Sequence, residues 1–317
     1  MTTTKSKSVN SKKEMNAFKT FVIVKLPREW QYHLMLLPGL IIVAIFAYYP
    51  LYGLVIAFQN FNPALGFSSP WVGLDNFRFL FNQPQFVRTI YNTFFISFFK
   101  IIGMIIVPVF FALLLNEVRN TGIKRSFQTL VYIPHFLSWV IVAGILMDIL
   151  STDGLVNQII GVFGIGPVSF LMDAQAFPWV LIFSDIWKSF GFGTVVYLAA
   201  LTNIDPGLYE AAIVDGAKRW KQTIYITIPM ILPIVTLMSV LSMGNILNAG
   251  FDQVFNLYSP IVFSTGDIID TFIFRLGIEQ AQFSVGAAVG IFRSVVSAIF
   301  VVGSFILADK IAGYRVF

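Results

Sequence analysis

Six apolar runs dominate this chain, near residues 34–57, 90–117, 127–149, 177–201, 228–248 and 283–312. A helix rises about 1.5 Å per residue, so roughly 20 apolar residues cross a hydrocarbon layer about 30 Å thick. Each run reaches that length. Charged residues make up only 12% of the chain, about half the share of an average soluble domain. Inside hydrocarbon the backbone must satisfy its own hydrogen bonds, which leaves helices and closed barrels as spanning structures. The runs lack the polar/apolar alternation of barrel strands. The sequence therefore predicts an all-α membrane protein with six transmembrane helices.

The basic residues orient these spans. Of the 21 Lys and Arg, 15 fall in the N-terminus, the 118–126 loop, the 202–227 loop and the C-terminus, which all lie on one side. The intervening loops hold Arg78, Arg88 and Arg275, while Lys100, Lys188 and Arg293 fall inside apolar runs. Under the positive-inside rule both termini are expected in the cytoplasm. The net charge of +5 thus describes topology, and no folded basic face points to nucleic acid. Residues 1–32 read as a cytoplasmic tail with a short amphipathic surface helix over 18–32, and 33–317 as the membrane domain. The first run starts too late and is too long for a signal h-region, so it reads as an uncleaved first helix.

Other chemistries are poorly supported. Cys is absent, which removes disulfides and thiolate metal sites. His33 and His135 are far apart and lack ligand-like neighbours, so no metal site is expected. Gly161-x-x-Gly164-x-Gly166 and Gly191-x-Gly193 match no phosphate-binding loop, so the chain is expected to bind no nucleotide and no cofactor of its own. The second cluster reads instead as a place for close helix packing. Pro108, Pro134 and Pro233 lie within spans and are expected to kink them.

Polar residues become organised at 203–229. Asp205 suits an N-cap and Pro206 the first helical position. A helix over Gly207–Val214 should end at Asp215-Gly216, where Gly takes a positive φ. A second short helix is expected over Ala217–Ile226, with Lys218, Arg219 and Lys221 on its polar side, before Pro229 opens the fifth span. The small residues Ala211, Ala212 and Ala217 allow another surface to approach closely.

Glu210-Ala211-Ala212, Asp215-Gly216-Ala217 and Ile226-x-Ile228-Pro229 together resemble the EAA motif of permease subunits in binding-protein-dependent ABC importers. The spacing matches throughout, with Ile228 in place of the usual Leu. Further stretches resemble the polysaccharide/oligosaccharide (maltose-type) subgroup: Tyr91-Asn92-Thr93, Leu115-Asn116-Glu117-Val118, Tyr132 through Trp139, Trp187-Lys188-x-Phe190-Gly191 and Tyr197 through Leu201. The resemblance implies a type I importer permease fold with a cytoplasmic coupling elbow, in a bacterial inner membrane. It also implies a second homologous permease, two ATPase subunits that bind ATP and Mg, and an extracytoplasmic solute-binding protein. In that setting Glu210, Ala211, Ala212, Asp215, Gly216, Ala217 and Pro229 would couple this chain to an ATPase. The cargo would be an oligosaccharide, with another small solute as the alternative. A secondary transporter would need several mid-membrane acids, and only Asp185 qualifies.

Charges within spans need a reason, because each costs about 2.5–3.5 kcal/mol at mid-bilayer on insertion scales. Asp185 and Lys188 lie at i and i+3, on one helical face. Two readings stand: a self-neutralising Asp185–Lys188 pair, or Lys100 or Lys188 facing a water-filled cavity that passes sugar, including an acidic one. Arg293 reads as snorkelling or sealing the outer end of span six. Trp187, Phe190, Phe192 and Tyr197 offer aromatic faces for sugar rings, and Asn245 and Asn248 offer amides for hydroxyls. These residues, with Lys100 and Lys188, are the candidate substrate path.

Overall fold

The computed structural model of the chain describes residues 30–312. The expected tail and most of its surface helix lie outside the described residues. The chain divides into two compact units, 1–55 and 56–317. In the first, helix α1 (Trp30–Val43) runs on through a π turn at Ala44–Tyr48 into a 3-10 stretch beginning at Tyr49. The apolar helical stretch Trp30–Phe58, whose last three residues belong to the second unit, has 29 residues and accounts for the first expected span.

The second unit is also helical. Its elements are α2 (Asp75–Phe81), α3 (Pro84–Glu117), α4 (Thr121–Phe136), α5 (Trp139–Ile149), α6 (Leu155–Val162) and α7 (Phe177–Thr202). There follow α8 (Pro206–Val214), α9 (Arg219–Met243), α10 (Phe251–Leu257), α11 (Ile269–Phe274) and α12 (Phe283–Ala312). The only strand-like pairing among the described residues is a bridge between Gln59 and Trp71.

Helix α3 is the axis of this unit, because it enters all three apolar clusters. Ile96 packs with Leu181, Ile182 and Ile186 of α7. Phe86 packs with Phe272 of α11 and Val289 of α12. Ala112 and Leu115 pack with Tyr197 and Leu201 of α7 and Ile231 of α9. On its other side α7 lies directly on α4. A Cβ built on Gly191 would sit 2.1 Å from the Val131 carbonyl oxygen, so only glycine permits that approach, as the small-residue spacing suggested.

Several expectations need correction. The run at 127–149 is not one helix: α4 and α5 meet at a bend of 103°. Pro134 sits in the last turn of α4, and Ser138 caps α5 by accepting from the Ile141 N–H at 3.4 Å. Pro108 and Pro233, in contrast, lie inside helices that continue past them.

Nor does Pro229 open a separate span. The second elbow helix and the fifth span are one stretch, Arg219–Met243. Pro229 cannot donate to the carbonyl four residues back, and the helix widens into a π turn over Thr223–Thr227 just before it. The stretch ends at Met243, so Asn245 and Asn248 lie in the turns that follow. Among the described residues four helical stretches are long and apolar enough to cross a membrane, with the bent pair as a fifth. Helix α7 has 26 residues, and Ser184, Asp185, Lys188 and Ser189 dilute its apolar character.

Candidate functional site

The 203–229 segment builds an exposed helical elbow. Asp205 caps α8 by accepting from the Gly207 N–H at 2.9 Å. At the other end Gly216 has φ +74°. Its N–H bonds to the Ile213 carbonyl at 3.0 Å, and the Ala217 N–H to the Ala212 carbonyl at 2.8 Å. That pair of bonds is a Schellman motif, which needs a left-handed residue where Gly stands. Glu210, Ala211, Asp215 and Gly216 are exposed, as is Pro229, while Ala212 and Ala217 are half-buried. Val214, at the tip, is 87% exposed.

The elbow is fastened to the helix ends around it. The Tyr209 and Thr227 hydroxyls hydrogen-bond at 2.9 Å, tying α8 to α9. Arg219 pairs with Glu117, at the end of α3, at 2.6 Å. Beside this pair opens a polar cleft of about 550 Å³, bounded by Asn116, Arg119, Ile213, Lys218, Gln222 and Thr223. The Glu117–Arg219 tie joins residues 102 positions apart, and no sequence spacing announced it.

The two buried lysines do not behave as the sequence suggested. Lys188 does not pair with Asp185. Its Nζ donates to the His135 carbonyl at 2.9 Å, in the last turn of α4, and lies 5.3 Å from the centre of the Trp139 ring. The bend between α4 and α5 leaves terminal carbonyls without helical donors, and the long Lys188 stem reaches one of them. Asp185 instead faces Lys100, with Oδ2 at 3.7 Å from Nζ. Lys100 donates to the Ala249 carbonyl at 2.7 Å and to the Gln253 side-chain oxygen. Gln253 in turn donates to the Leu181 carbonyl and to Ser184 Oγ, both at 2.8 Å.

The remaining path candidates separate by exposure. Tyr197 is buried in the third apolar cluster. Phe190 is half-buried, edge-on to Phe111 at 5.2 Å. Phe192 is exposed and lies flat on His135 at 4.4 Å. Trp187, Asn245 and Asn248 are exposed. The structure thus brings Lys100 to the segment that carries the two asparagines, and leaves Lys188 and Tyr197 inside the helix packing.

A third polar centre went unrecognised in the sequence. Asp267 is fully buried and accepts from Thr271 Oγ1 at 2.8 Å, from Arg275 Nη1 at 3.1 Å and from Thr89 Oγ1 at 3.4 Å. Asn92 donates to the Ser264 and Asp267 carbonyls, both at 3.2 Å, and the Ile269 N–H donates to Thr93 Oγ1 at 2.9 Å. The Asn92-Thr93 pair therefore fastens the segment ahead of α11 to α3. Arg293 is likewise engaged, pairing with Asp270 at 2.5 Å. Burial lifts the Asp270 carboxyl above its ordinary range, with Arg293 opposing the shift. An acid and a base two helical turns apart, Asp267 and Arg275, were the available signal.

The chain resembles known proteins in sequence and fold. A family model described as binding-protein-dependent transport system inner membrane component matches residues 104–312. Protein LplB of Bacillus subtilis (strain 168) is 40% identical over 287 residues, 90% of each chain. The polygalacturonan/rhamnogalacturonan transport system permease protein YteP of the same strain is 40% identical over 293 residues, 92% of this chain and 90% of that one. Among solved structures, a bacterial ABC transporter involved in the import of the acidic polysaccharide alginate contains a similar chain. It superposes with a TM-score of 0.84 at 40% identity, over 90% of this chain and 98% of that chain. A chain of a bacterial alginate ABC transporter in complex with an alginate pentasaccharide-bound periplasmic protein gives 0.84 at 38%, over 92% and 98%. The long α3, the bent α4–α5 pair and the elbow thus belong to a member of the binding-protein-dependent transport family, a helical membrane permease subunit rather than an ATPase.

Proposed function

We propose that this chain is the translocating subunit of an ATP-driven importer for an acidic oligosaccharide, with six spans and both termini cytoplasmic. The observation that carries the reading is the elbow. An exposed helix–turn–helix, turned at a left-handed glycine between α8 and α9, braced by the Tyr209–Thr227 bond and tied to the end of α3, is built to receive force from outside. ATP and Mg bind to two partner ATPases, whose closure moves the elbow through Glu210, Ala211, Ala212, Asp215, Gly216 and Ala217, and α9 past Pro229 follows. The attached helices α7 and α9 then rock so that a central cavity changes side.

A second, homologous permease completes that cavity, and an extracytoplasmic binding protein delivers the sugar. In this reading the exposed Trp187, Asn245 and Asn248 meet it, half-buried Phe190 and the Lys100 bonded to Ala249 support them, and Lys188 and Tyr197 hold the scaffold. The acidic class follows from relatives whose names or titles specify polygalacturonan/rhamnogalacturonan and the acidic polysaccharide alginate. The test is uptake by the complete complex in proteoliposomes, with binding protein loaded with uronate oligosaccharides of defined length. Saturable, ATP-dependent uptake of the uronate series is expected. Uptake confined to neutral sugars would overturn the acidic assignment, and ATP-independent uptake would overturn the importer reading.

A further inference from the structure

The fifth span ends just before the asparagines that its apolar run carries. After Met243 the chain passes through turns, reaches Gly250 at φ +91° and only then enters α10. A break at membrane depth releases carbonyls that lipid cannot satisfy, so something inside the protein must supply donors. Here the donor is Lys100. Its ammonium bonds to the Ala249 carbonyl at 2.7 Å and to Gln253, and faces Asp185 at 3.7 Å. Lys100 is 5% exposed and Gln253 fully buried, whereas the Asp185 side chain keeps 26% of its surface.

A neutral donor would cap a carbonyl without burying a charge, so the choice of lysine needs its own reason. Asp185 supplies it. Its side chain keeps partial exposure and shares one ammonium with the Ala249 peptide, next to exposed Asn248. Left alone, that carboxylate would present a negative charge beside the segment assigned to sugar contact, and would repel an anionic cargo. One ammonium, with three hydrogens to place, both fixes the backbone of the broken segment and cancels the charge.

We propose that Lys100 is a positioning and charge-balancing residue of the sugar path, holding the 244–250 segment so that Asn245 and Asn248 face outward and neutralising Asp185 so that acidic oligosaccharides can pass. The proposal rests on the acidic-oligosaccharide reading above. Failure of that reading shows in the unmodified complex, whereas failure of this one shows only in the variants.

The experiment uses the complete reconstituted complex and two cargoes, a uronate oligosaccharide and its methyl ester, each at saturating loaded binding protein with loading checked separately. The readout is the ratio of acid to ester uptake, which a merely structural role would not move. Lys100→Met should lower both rates and lower the acid-to-ester ratio by about threefold to tenfold, as expected for one uncompensated charge in a partly screened site. Adding Asp185→Asn should restore the ratio while both rates stay low, because Ala249 still lacks its donor. Asp185→Asn alone retains the Lys100 hydrogen bonds, and should raise the ratio above that of the unmodified protein. This variant decides the matter if Lys100→Met fails to assemble. An unchanged ratio in Asp185→Asn, or equal loss of both cargoes in Lys100→Met, would overturn the proposal.

Discussion

Lys188 Nζ donates to the carbonyl oxygen of His135 at 2.9 Å, joining the middle of α7 to the last turn of α4 just before the 103° bend. Lys100 does the same for Ala249 from α3, at 2.7 Å. Each buried lysine thus bonds to a carbonyl where a neighbouring helix bends away or has ended.

Lys188→Met should destabilise the assembled complex by about 1–3 kcal/mol, the usual penalty for orphaning a buried acceptor. Asp185→Asn should not rescue it, because the partner of Asp185 is Lys100. Thermal unfolding of the purified complex, with both single variants and the double, checks this. Rescue in the double variant would show a direct Asp185–Lys188 pair.

Arg293→Met should be more destabilising than Asp270→Asn, since it leaves a mostly buried carboxylate without its partner, at about 1–3 kcal/mol once partial exposure is allowed for. The pH dependence has a definite sign. Asp270 holds its proton more tightly in the folded state than at its ordinary 3.8, so its contribution to stability improves as pH falls through the folded value and levels off near 3.8. Without Arg293 the opposing pull on that shift is gone. The deficit of Arg293→Met relative to the unmodified protein should therefore be largest at neutral pH and shrink on mild acidification. Melting curves across that pH range measure it.

The long apolar helices and the glycine-ended helix at Pro206–Val214 were legible because their signals are local. Apolar length, an Asp-Pro helix start and a glycine stop each fit within a few residues. The fastenings were not, because they join distant positions: Lys188 to His135 across 53 residues, and Lys100 to Ala249 across 149. Helical spacing favoured the i, i+3 neighbour of Lys188 and missed the carbonyl left bare by a bend in another helix. That bend had a signal of its own, a serine able to cap a new helix at Ser138, four residues after Pro134. The end of the fifth span at Met243 was hidden, since the apolar run continues through Ile246 and Leu247, which are buried.

Both termini and the elbow should lie in the cytoplasm. The chain contains no Cys, so single cysteines at positions 10 and 217 can be labelled without background. An impermeant maleimide should label neither from outside intact cells and both in inverted vesicles. Labelling of either from outside would reverse the orientation.

Gly216 offers the most direct test of coupling. Its φ is +74°, and a Cβ built there meets nothing within 4 Å, so a substitution strains the turn without displacing a neighbour within this chain. The strain is about 1–2 kcal/mol for an ordinary L-residue in the left-handed region, and greater for a β-branched one. The deciding measurement is ATPase activity of the reconstituted complex carrying Gly216→Val, with and without sugar-loaded binding protein, alongside Gly216→Asn, which tolerates the left-handed turn. The expected result is a fully inserted Val variant that has lost stimulation by the loaded binding protein, with the Asn variant retaining most of it. Undiminished stimulation in Gly216→Val would contradict transmission of force through the elbow.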